Sequence, residues 1–492
     1  MRRELLINAT PPETRVALTE DGGTVEVLHE RRGRQGLVGN VYLGRVHRVL
    51  PGMHAAFVAI GLERDAFLYV QDVVPRTVEA YGEEREEGRA AAPTDARIAD
   101  LLREGQDVVV QVTKDPLAGK GPRVTANLAL PGRTLVALPG ADGIGVSRRI
   151  TDEAERERLR RILEGFGPGS GWIARTAALG ADVSEFQSDR RYLDNLSVEI
   201  RRKAGNANAP ALLRRELDLA LRSVRDLVTP DFAAIRVDDP ETRDRIAEFL
   251  SAVEPQLVPR VELYEESEPL FERFGIETEL ENALKNRVPL RSGGSVVIHQ
   301  TEALVAIDVN TGKFVGSDAL EDTVFATNLE AVAEVARQIR LRDLGGILVV
   351  DFIDMEDAEH RREVFESFEA ELGKDRARTR LLQISEFGLV EITRQRTRGN
   401  LEKTLTEPCP SCGGTGRVKT DLSVALDLRR TLLAAANLYA PGETVRIRVR
   451  SSLAQLLAEE EPDLLPEIET RLNVKVDLIP DETLPPSEYE IL

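Results

Sequence analysis

Alternating apolar and polar residues predict strands in the first quarter of the chain. The alternation covers residues 3–8, 14–18 and 24–29, and a hairpin signal, Asp21-Gly22-Gly23, lies between the last two. The same β pattern returns in residues 41–49, 55–60, 66–70 and 108–113, a set that suits a small barrel. Residues 83–95, an acidic insertion followed by Ala, Pro and Thr, are interpreted as a solvated loop of that barrel.

Apolar residues spaced about 3.6 positions apart predict helices further along the chain. This spacing occurs in residues 152–164, 212–228, 240–252, 328–342 and 357–372. Basic turns are predicted near Arg190-Arg191 and Arg201-Arg202-Lys203, within a separate α+β module. Buried strands at residues 295–299, 303–308 and 347–353 alternate with the later helices, so we predict an α/β multidomain protein with an admixture of α+β parts.

Two apolar runs within the predicted strands, residues 305–308 and 348–351, each end in an aspartate, Asp308 and Asp351. Sites in open α/β sheets lie beyond the carboxyl ends of strands, so both carboxylates could meet in one crevice. Mg²⁺ prefers oxygen ligands and keeps several waters, and two carboxylates plus a substrate phosphate suffice to bind it. Asn310, two residues after Asp308, would share its strand face and could hydrogen-bond a scissile phosphate.

The alternative interpretation is that both aspartates only begin turns or cap helices. Further polar residues close behind them, Asn310, Thr311 and Asp354, favour the metal site. Other chemistries find less support in the sequence. The GxxxxGK[ST] spacing of a phosphate-binding loop does not occur, and the five histidines are too scattered to predict a paired-histidine ribonuclease mechanism.

The chain has two cysteines, Cys409 and Cys412, and glycines follow them. A CxxC pair followed by glycines is typical of a zinc knuckle. Structural zinc takes four ligands and no histidine follows the pair, so the count suggests one Zn²⁺ shared between two chains. A thioredoxin-like redox pair is the alternative, but this pair follows a basic linker and does not open a helix after a strand.

The net charge of −19 argues at first sight against a polyanionic substrate. Its distribution changes this conclusion, because residues 459–492 hold eleven acidic against two basic side chains, whereas residues 376–403 hold seven basic against three acidic. Nucleic acid therefore stays open as a partner. The N-terminus has no apolar signal region and no run reaches the roughly 18 apolar residues of a membrane span, so we expect a cytoplasmic protein.

These motifs resemble the ribonuclease G/ribonuclease E family of bacterial endoribonucleases. The resemblance follows the chain in order through residues 5–10, 13–16, 39–42, 48–53, 55–58, 306–310, 328–331, 340–346, 351–355 and 409–412. No long Pro- or Arg-rich scaffold follows the catalytic region, so the resemblance is closer to the short, G-type members. It implies RNase H-like parts at residues 1–35 and 215–280, an OB-type RNA-binding barrel (36–125), a 5′-sensor domain (126–214), a DNase I-like catalytic subdomain (281–402), a zinc link (403–418) and a small C-terminal α+β domain (419–492).

The resemblance also assigns roles near the cleavage site and in the barrel. The family's metal-binding aspartates fall on Asp308 and Asp351, and its phosphate-contacting asparagine falls on Asn310. Its RNA-stacking aromatic residues match Phe57 and Phe67, which the hydrophobic pattern alone would place in the barrel core. Lys114 is a further RNA-binding match.

A 5′-monophosphate sensor is implied as well. It matches Arg175 and Thr176, a guanidinium beside a hydroxyl donor, with Arg378 in support and Gly121 as a further match. The implied activity is Mg²⁺-dependent cleavage of single-stranded RNA to 5′-phosphate and 3′-hydroxyl ends, in rRNA precursors and mRNA. Homo-oligomers, dimers or tetramers, would form through the shared Zn²⁺.

Two other classes of protein remain as alternatives. A non-catalytic RNA-binding or assembly factor would use the barrel but would not need both Asp308 and Asp351. Composition does not distinguish a nuclease or phosphodiesterase that acts on DNA from one that acts on RNA. Matched RNA and DNA cleavage assays would decide between the two substrates.

Overall fold

The computed structural model describes residues 2–33, 36–75, 77–78, 96–116, 120–167, 170–311, 320–382, 389–395 and 400–492. The chain divides into two compact units, Met1–Leu401 and Glu402–Leu492. The acidic insertion at residues 83–95 lies outside the described residues. In the part that is described, no helix has the length and hydrophobicity that crossing a membrane requires.

In chain order, the strands of the described residues are β1 (Arg3–Ala9), β2 (Glu13–Glu20), β3 (Gly23–Arg31), β4 (Val41–Leu50), β5 (Ala55–Ala59), β6 (Ala66–Tyr69), β7 (Asp107–Lys114), β8 (Arg123–Thr125), β9 (Leu130–Pro131), β10 (Leu135–Pro139), β11 (Ile144–Val146), β12 (Ser170–Ala174), β13 (Ala211–Arg214), β14 (Phe232–Val237), β15 (Val261–Leu263), β16 (Arg287–Pro289), β17 (Ser295–Gln300), β18 (Leu304–Asn310), β19 (Gly346–Asp351), β20 (Thr379–Leu381), β21 (Leu389–Arg394), β22 (Thr444–Val449), β23 (Lys475–Pro480) and β24 (Glu490–Ile491). The α-helices of the same residues are α1 (Ile98–Leu101), α2 (Glu153–Glu164), α3 (Val183–Asn206), α4 (Leu219–Leu227), α5 (Pro240–Val253), α6 (Leu270–Arg273), α7 (Ile276–Ala283), α8 (Leu320–Leu341), α9 (Ala358–Leu372), α10 (Leu401–Leu405), α11 (Asp421–Ala434), α12 (Ser451–Glu459) and α13 (Leu464–Leu472).

The first sheet joins strands from two distant parts of the chain, in the order β15-β14-β1-β2-β3. The predicted hairpin is confirmed, since β2 and β3 are antiparallel and Asp21 and Gly22 between them have positive φ. β14 pairs with β1 in parallel, and α4 and α5 pack on the sheet in a shared core. Residues from both sides of a long insertion therefore form one sheet, while the RNase H-like assignment stays a prediction.

A closed barrel follows, and its five strands lie within the described residues. They run in the order β4-β5-β6-β8-β7, and β7 pairs back to β4. The interior is apolar, and at Gly44 an added Cβ would lie 2.5 Å from a Val58 methyl carbon, so the bend of β4 needs a glycine. The predicted OB-like barrel is confirmed.

Two predictions for residues 190–228 are wrong in part. The basic turns predicted near Arg190 and Arg201 belong to one continuous helix, α3, which buries Phe186, Leu193 and Ile200 at seven-residue intervals. Residues 212–214 are not helical, because they belong to β13, which pairs with the barrel strand β4. Pairing with an existing strand outweighs the weak intrinsic helical preference of this segment.

The α/β part contains a sheet in the order β16-β17-β18-β19-β21-β20, in which β18 and β19 are parallel. Helices α8 and α9 cover one face and form its core. The side chains of Ala306, Asp308 and Asn310 alternate with buried neighbours and are exposed on the opposite face. The core thus fixes β18 and β19 side by side and leaves their polar residues accessible.

The unit Glu402–Leu492 has a core of its own. Its strand β22 is parallel to β23 and antiparallel to β24, and α11, α12 and α13 supply the remaining core residues. Many of its acidic side chains are paired within the unit, for example Glu490 with Arg448 at 2.6 Å and Glu467 with Arg429 at 2.6 Å. Part of the C-terminal negative charge is therefore neutralised locally.

Candidate functional site

Asp308 and Asp351 lie side by side at the carboxyl ends of β18 and β19. The register of the two parallel strands pairs Asp308 directly with Asp351. Neighbouring strands are about 4.8 Å apart, and both carboxylates are on the exposed face of the sheet. The fold therefore brings together the two aspartates that the sequence analysis singled out.

The charges of this pair fit a hard cation. Partial loss of hydration, then repulsion from Asp308 and from Asp354, raises the pKa of the Asp351 carboxyl. Asn310 donates from Nδ2 to Asp308 Oδ2 at 2.7 Å, which adds an amide oxygen to the same face. A divalent ion with oxygen ligands would relieve the repulsion. The described residues contain no group of three or more His, Cys, Asp or Glu side chains placed to hold a metal, so the fit rests on Asp308 and Asp351.

Helix α8 holds the loop that follows Asp351. Asn328, which is fully buried, donates from Nδ2 to the Ile353 carbonyl at 2.8 Å and accepts the Ile353 N–H at 3.1 Å. Glu321 accepts the N–H groups of Glu356 and Asp357. Neither set of hydrogen bonds was predicted from the sequence. The available signal was an asparagine within the apolar face of the predicted helix.

The barrel carries a row of aromatic and basic residues across its strands. Phe57 on β5 pairs directly with Phe67 on β6, with ring centroids 6.0 Å apart. The row continues through cations at both ends, because Arg48 pairs with Phe57, Arg123 with Phe67, and Lys114 with Arg123. An aromatic centre between cations is suited to stack bases and contact phosphates.

The two phenylalanines face outward from the barrel. Their neighbours Ala56, Val58 and Leu68 are buried in the barrel interior, whereas Phe57 and Phe67 are partly exposed. Strand alternation explains this, since successive residues face opposite sides of a strand. The placement in the core that the hydrophobic pattern alone suggested is therefore wrong.

An arginine-rich cavity of about 830 Å³ surrounds the end of β12. It brings together three of the predicted sensor residues, Arg175, Thr176 and Arg378. Thr176 shares a hydrogen bond of 3.0 Å with the Ser147 hydroxyl. We call this space the sensor cavity, and its other described lining residues include Arg148, Arg149, Arg156, Arg160 and Asp226.

Gly121, the fourth predicted sensor residue, is not among the described residues that line the sensor cavity. It lies in the barrel, where an added Cβ would come 1.9 Å from the Asp65 carbonyl oxygen. A glycine is needed at this position because the two backbones approach so closely.

Cys409 and Cys412 lie in a turn between α10 and α11, and both are free thiols. The Gly416 N–H donates to Cys412 Sγ at 3.3 Å, and the N–H groups of Gly416 and Gly414 lower the pKa of the Cys412 thiol. Backbone donors that stabilise a thiolate fit a zinc ligand. The pair does not open a helix after a strand, which is the arrangement that a thioredoxin-like redox pair would have.

Comparison with known proteins defines the class. The model of the Ribonuclease E/G family matches residues 129–397, and the model described as RNase E/G, Thioredoxin-like domain matches residues 408–492. The chain belongs to the ribonuclease E/G family. It is 43% identical to Ribonuclease G of Escherichia coli strain K12 over 484 residues, which cover 98% of each chain. It is 40% identical to Ribonuclease G of Haemophilus influenzae, with 99% of each chain covered.

Ribonuclease E of Escherichia coli strain K12 is also similar, with 34% identity over 500 residues. The match covers 100% of this chain but 46% of that longer protein. The similarity to the two Ribonuclease G relatives thus extends over nearly their whole length, whereas the similarity to Ribonuclease E covers less than half of that protein.

Proposed function

We propose that the protein is a Mg²⁺-dependent endoribonuclease that cleaves single-stranded RNA to 5′-phosphate and 3′-hydroxyl ends. Membership of the ribonuclease E/G family supports the endoribonuclease activity. The observation that carries the metal dependence is the direct pairing of Asp308 with Asp351 on the exposed face of the sheet that contains β18 and β19. A protein that only bound RNA would not need two carboxylates where a phosphate has to approach.

Asp308 and Asp351 would hold the Mg²⁺ ion. The chemistry that such an ion supplies when bound is a lower pKa for water and neutralisation of charge on the phosphate. Asn310 would contact the scissile phosphate through its amide, and its bond to Asp308 orients it for this contact. Asn328 would keep the loop after Asp351 in place through its two hydrogen bonds to the Ile353 backbone.

The barrel row would hold the single-stranded substrate. Phe57 and Phe67 would offer exposed ring surface to bases, and Arg48 and Lys114 at the two ends of the row would contact the RNA backbone. Stacking on aromatic rings is independent of sequence, because every base has a π-face. The row would therefore hold unpaired bases of any sequence.

The sensor cavity would bind a 5′-monophosphate through Arg175 and Thr176, with Arg378 contributing from the catalytic part of the chain. Guanidinium and hydroxyl donors are suited to a phosphate dianion. RNAs that have lost their 5′-triphosphate would therefore be preferred substrates. Maturation of ribosomal RNA and decay of mRNA are the processes that the family resemblance implies for such an enzyme.

Cys409 and Cys412 would supply half of a tetrahedral Zn²⁺ site, and the same pair of a second chain would supply the other half. The support is the count of two cysteines in the chain and the thiolate-stabilising turn around Cys412. The proposed assembly is a homodimer joined by zinc, which could pair into a tetramer.

The test is cleavage of a short fluorescent single-stranded RNA with a 5′-monophosphate or a 5′-hydroxyl, with a DNA of the same sequence as the matched substrate control. Wild type should cut RNA in Mg²⁺, faster on the monophosphate, whereas Asp308→Asn should bind RNA and leave it intact. Binding by both proteins without metal-dependent cutting would contradict the proposal and favour a non-catalytic RNA-binding factor. Equal cutting of the DNA would contradict the assignment of RNA as substrate.

A further inference from the structure

The sensor cavity contains a side chain that phosphate binding alone does not explain. Six arginines are among its described lining residues, and Asp226 is the one acidic residue among them. A carboxylate beside an anion site weakens binding there, because like charges repel. The position of Asp226 therefore adds repulsion against an anionic ligand to the attraction of the arginines.

Asp226 is fixed beside Arg175 by short contacts. Its Oδ1 accepts from Arg175 Nη2 at 2.8 Å, and Arg225 donates to both of its oxygens at 3.0 Å. Arg225 is buried and in turn contacts Glu216 at 2.7 Å. These ion pairs with Arg175 and Arg225 hold the Asp226 carboxylate at the cavity wall.

The Asp226 carboxylate keeps its charge and stays accessible. Burial opposes ionisation, but the hydrogen bonds and charges of Arg225 and Arg175 outweigh it and lower the pKa of Asp226 to about 2. About a quarter of the side chain (25%) is exposed. A ligand in the sensor cavity therefore meets an ionised carboxylate at neutral pH.

Arg175 has limited capacity left for a ligand. Its Nη1 donates to the carbonyl oxygens of Gly132 and Arg133, and its Nη2 donates to Asp226. A guanidinium has five N–H groups, so among the described contacts Nε and one Nη2 proton remain. These two lie on one edge and suit a single phosphate group in bidentate contact.

We propose that Asp226 is a specificity-determining residue of the sensor cavity, which limits the negative charge accepted at the RNA 5′ end and so disfavours a 5′-triphosphate relative to a 5′-monophosphate. The inference rests on the proposed 5′-monophosphate sensing. A 5′-triphosphate carries about two more negative charges than a 5′-monophosphate, because each of its two additional phosphate groups adds about one. The one edge of Arg175 suits a single phosphate group, so the Asp226 carboxylate beside it adds repulsion against the further phosphates.

The test measures binding of three RNA decamers that share one sequence and a 3′ fluorophore but carry a 5′-hydroxyl, a 5′-monophosphate or a 5′-triphosphate. Full-length wild type and Asp226→Asn are titrated by fluorescence anisotropy without added Mg²⁺. Asp226→Asn should bind the triphosphate about tenfold more tightly, equal to ~1.4 kcal/mol. Its affinity for the hydroxyl RNA should not change. Asp244→Asn, which removes an exposed carboxylate of α5 that is 68% accessible, is the control for net charge.

The ratio of two affinities in one preparation does not depend on the folded fraction, so partial unfolding of Asp226→Asn leaves the test valid. An unchanged ratio of triphosphate to monophosphate affinity, when wild type discriminates, would overturn the role of Asp226. Loss of the monophosphate preference without any gain for the triphosphate would also overturn it, and would assign Asp226 to orienting Arg175. Equal affinity of wild type for all three RNAs would instead refute the proposed 5′ sensing itself.

Discussion

Replacing Phe57 with alanine should weaken binding of single-stranded RNA while leaving the barrel folded. Stacking of one base on an aromatic ring contributes ~1–3 kcal/mol. Since ~1.4 kcal/mol corresponds to a factor of ten, the dissociation constant should rise about 5-fold to 150-fold. The loss should be similar for RNAs of different sequence, because stacking does not read the bases.

The expected cost in stability is small, because the Phe57 ring lies outside the barrel core. Truncating a core phenylalanine costs ~3–5 kcal/mol. Phe57 instead loses an edge-to-face contact with Phe67, at 6.0 Å between centroids, and such a pair contributes ~0.5–1.5 kcal/mol. The free energy of unfolding should therefore fall by about 1 kcal/mol.

The measurement combines RNA binding by fluorescence anisotropy with denaturant unfolding. Leu68→Ala is the matched control, because Leu68 is fully buried one position after Phe67 on the same strand. It should lose ~2–5 kcal/mol of stability. If Phe57→Ala loses as much stability as Leu68→Ala, the ring belongs to the core and the reasoning is refuted. A stable Phe57→Ala protein with unchanged RNA affinity would refute the stacking role.

The remaining predictions concern Asp351 and Asn328, the sensor cavity and the cysteines. Asp351→Asn should lower the cleavage rate more than about 100-fold at unchanged RNA affinity, because changes to groups that only support metal ligands already cost about 10–100-fold; normal cleavage would contradict the metal site. Asn328→Ala should raise the Mg²⁺ concentration needed for half-maximal cleavage about 10–100-fold, and an unchanged Mg²⁺ titration would show that the loop needs no clamp. Arg175→Gln should bring the cleavage rates on 5′-monophosphate and 5′-hydroxyl RNA within about twofold of each other, since a neutral side chain loses the charge-assisted phosphate bond; a preserved difference would place sensing elsewhere. Cys412→Ser should abolish bound zinc in elemental analysis and yield monomers in native mass spectrometry, and zinc-free dimers would contradict the shared site.

The aspartate pair was predictable from sequence because the signal is local. An apolar run that ends in a carboxylate predicts a buried strand with a polar end. β19 ends at Asp351, and β18 continues two residues past Asp308 to Asn310. That the two strands are neighbours was an expectation, and the register places Asp308 opposite Asp351. The clamp by Asn328 was not predictable, since its partner Ile353 is 25 residues away and becomes adjacent only after α8 packs on the sheet.

The orientation of the barrel phenylalanines shows a different limit. Strand side chains alternate, and a shift of one residue would exchange the core and outer faces. Around Phe57 both faces are apolar, because Ala55, Ala56 and Val58 surround it, so hydrophobicity alone does not identify the inner face. The closure of the barrel decides it, by placing Ala56 and Val58 in the interior.

Local charge explains how a chain with a net charge of −19 can carry RNA-binding surfaces. Attraction to phosphates falls off within about 10 Å at ordinary ionic strength, so the residues near a site matter more than the total. The sensor cavity has six arginines against Asp226, and cations lie at both ends of the barrel row. In the unit Glu402–Leu492, by contrast, carboxylates are paired with arginines such as Arg448 and Arg429. Composition summed over the chain therefore does not describe the charges that a substrate meets at each site.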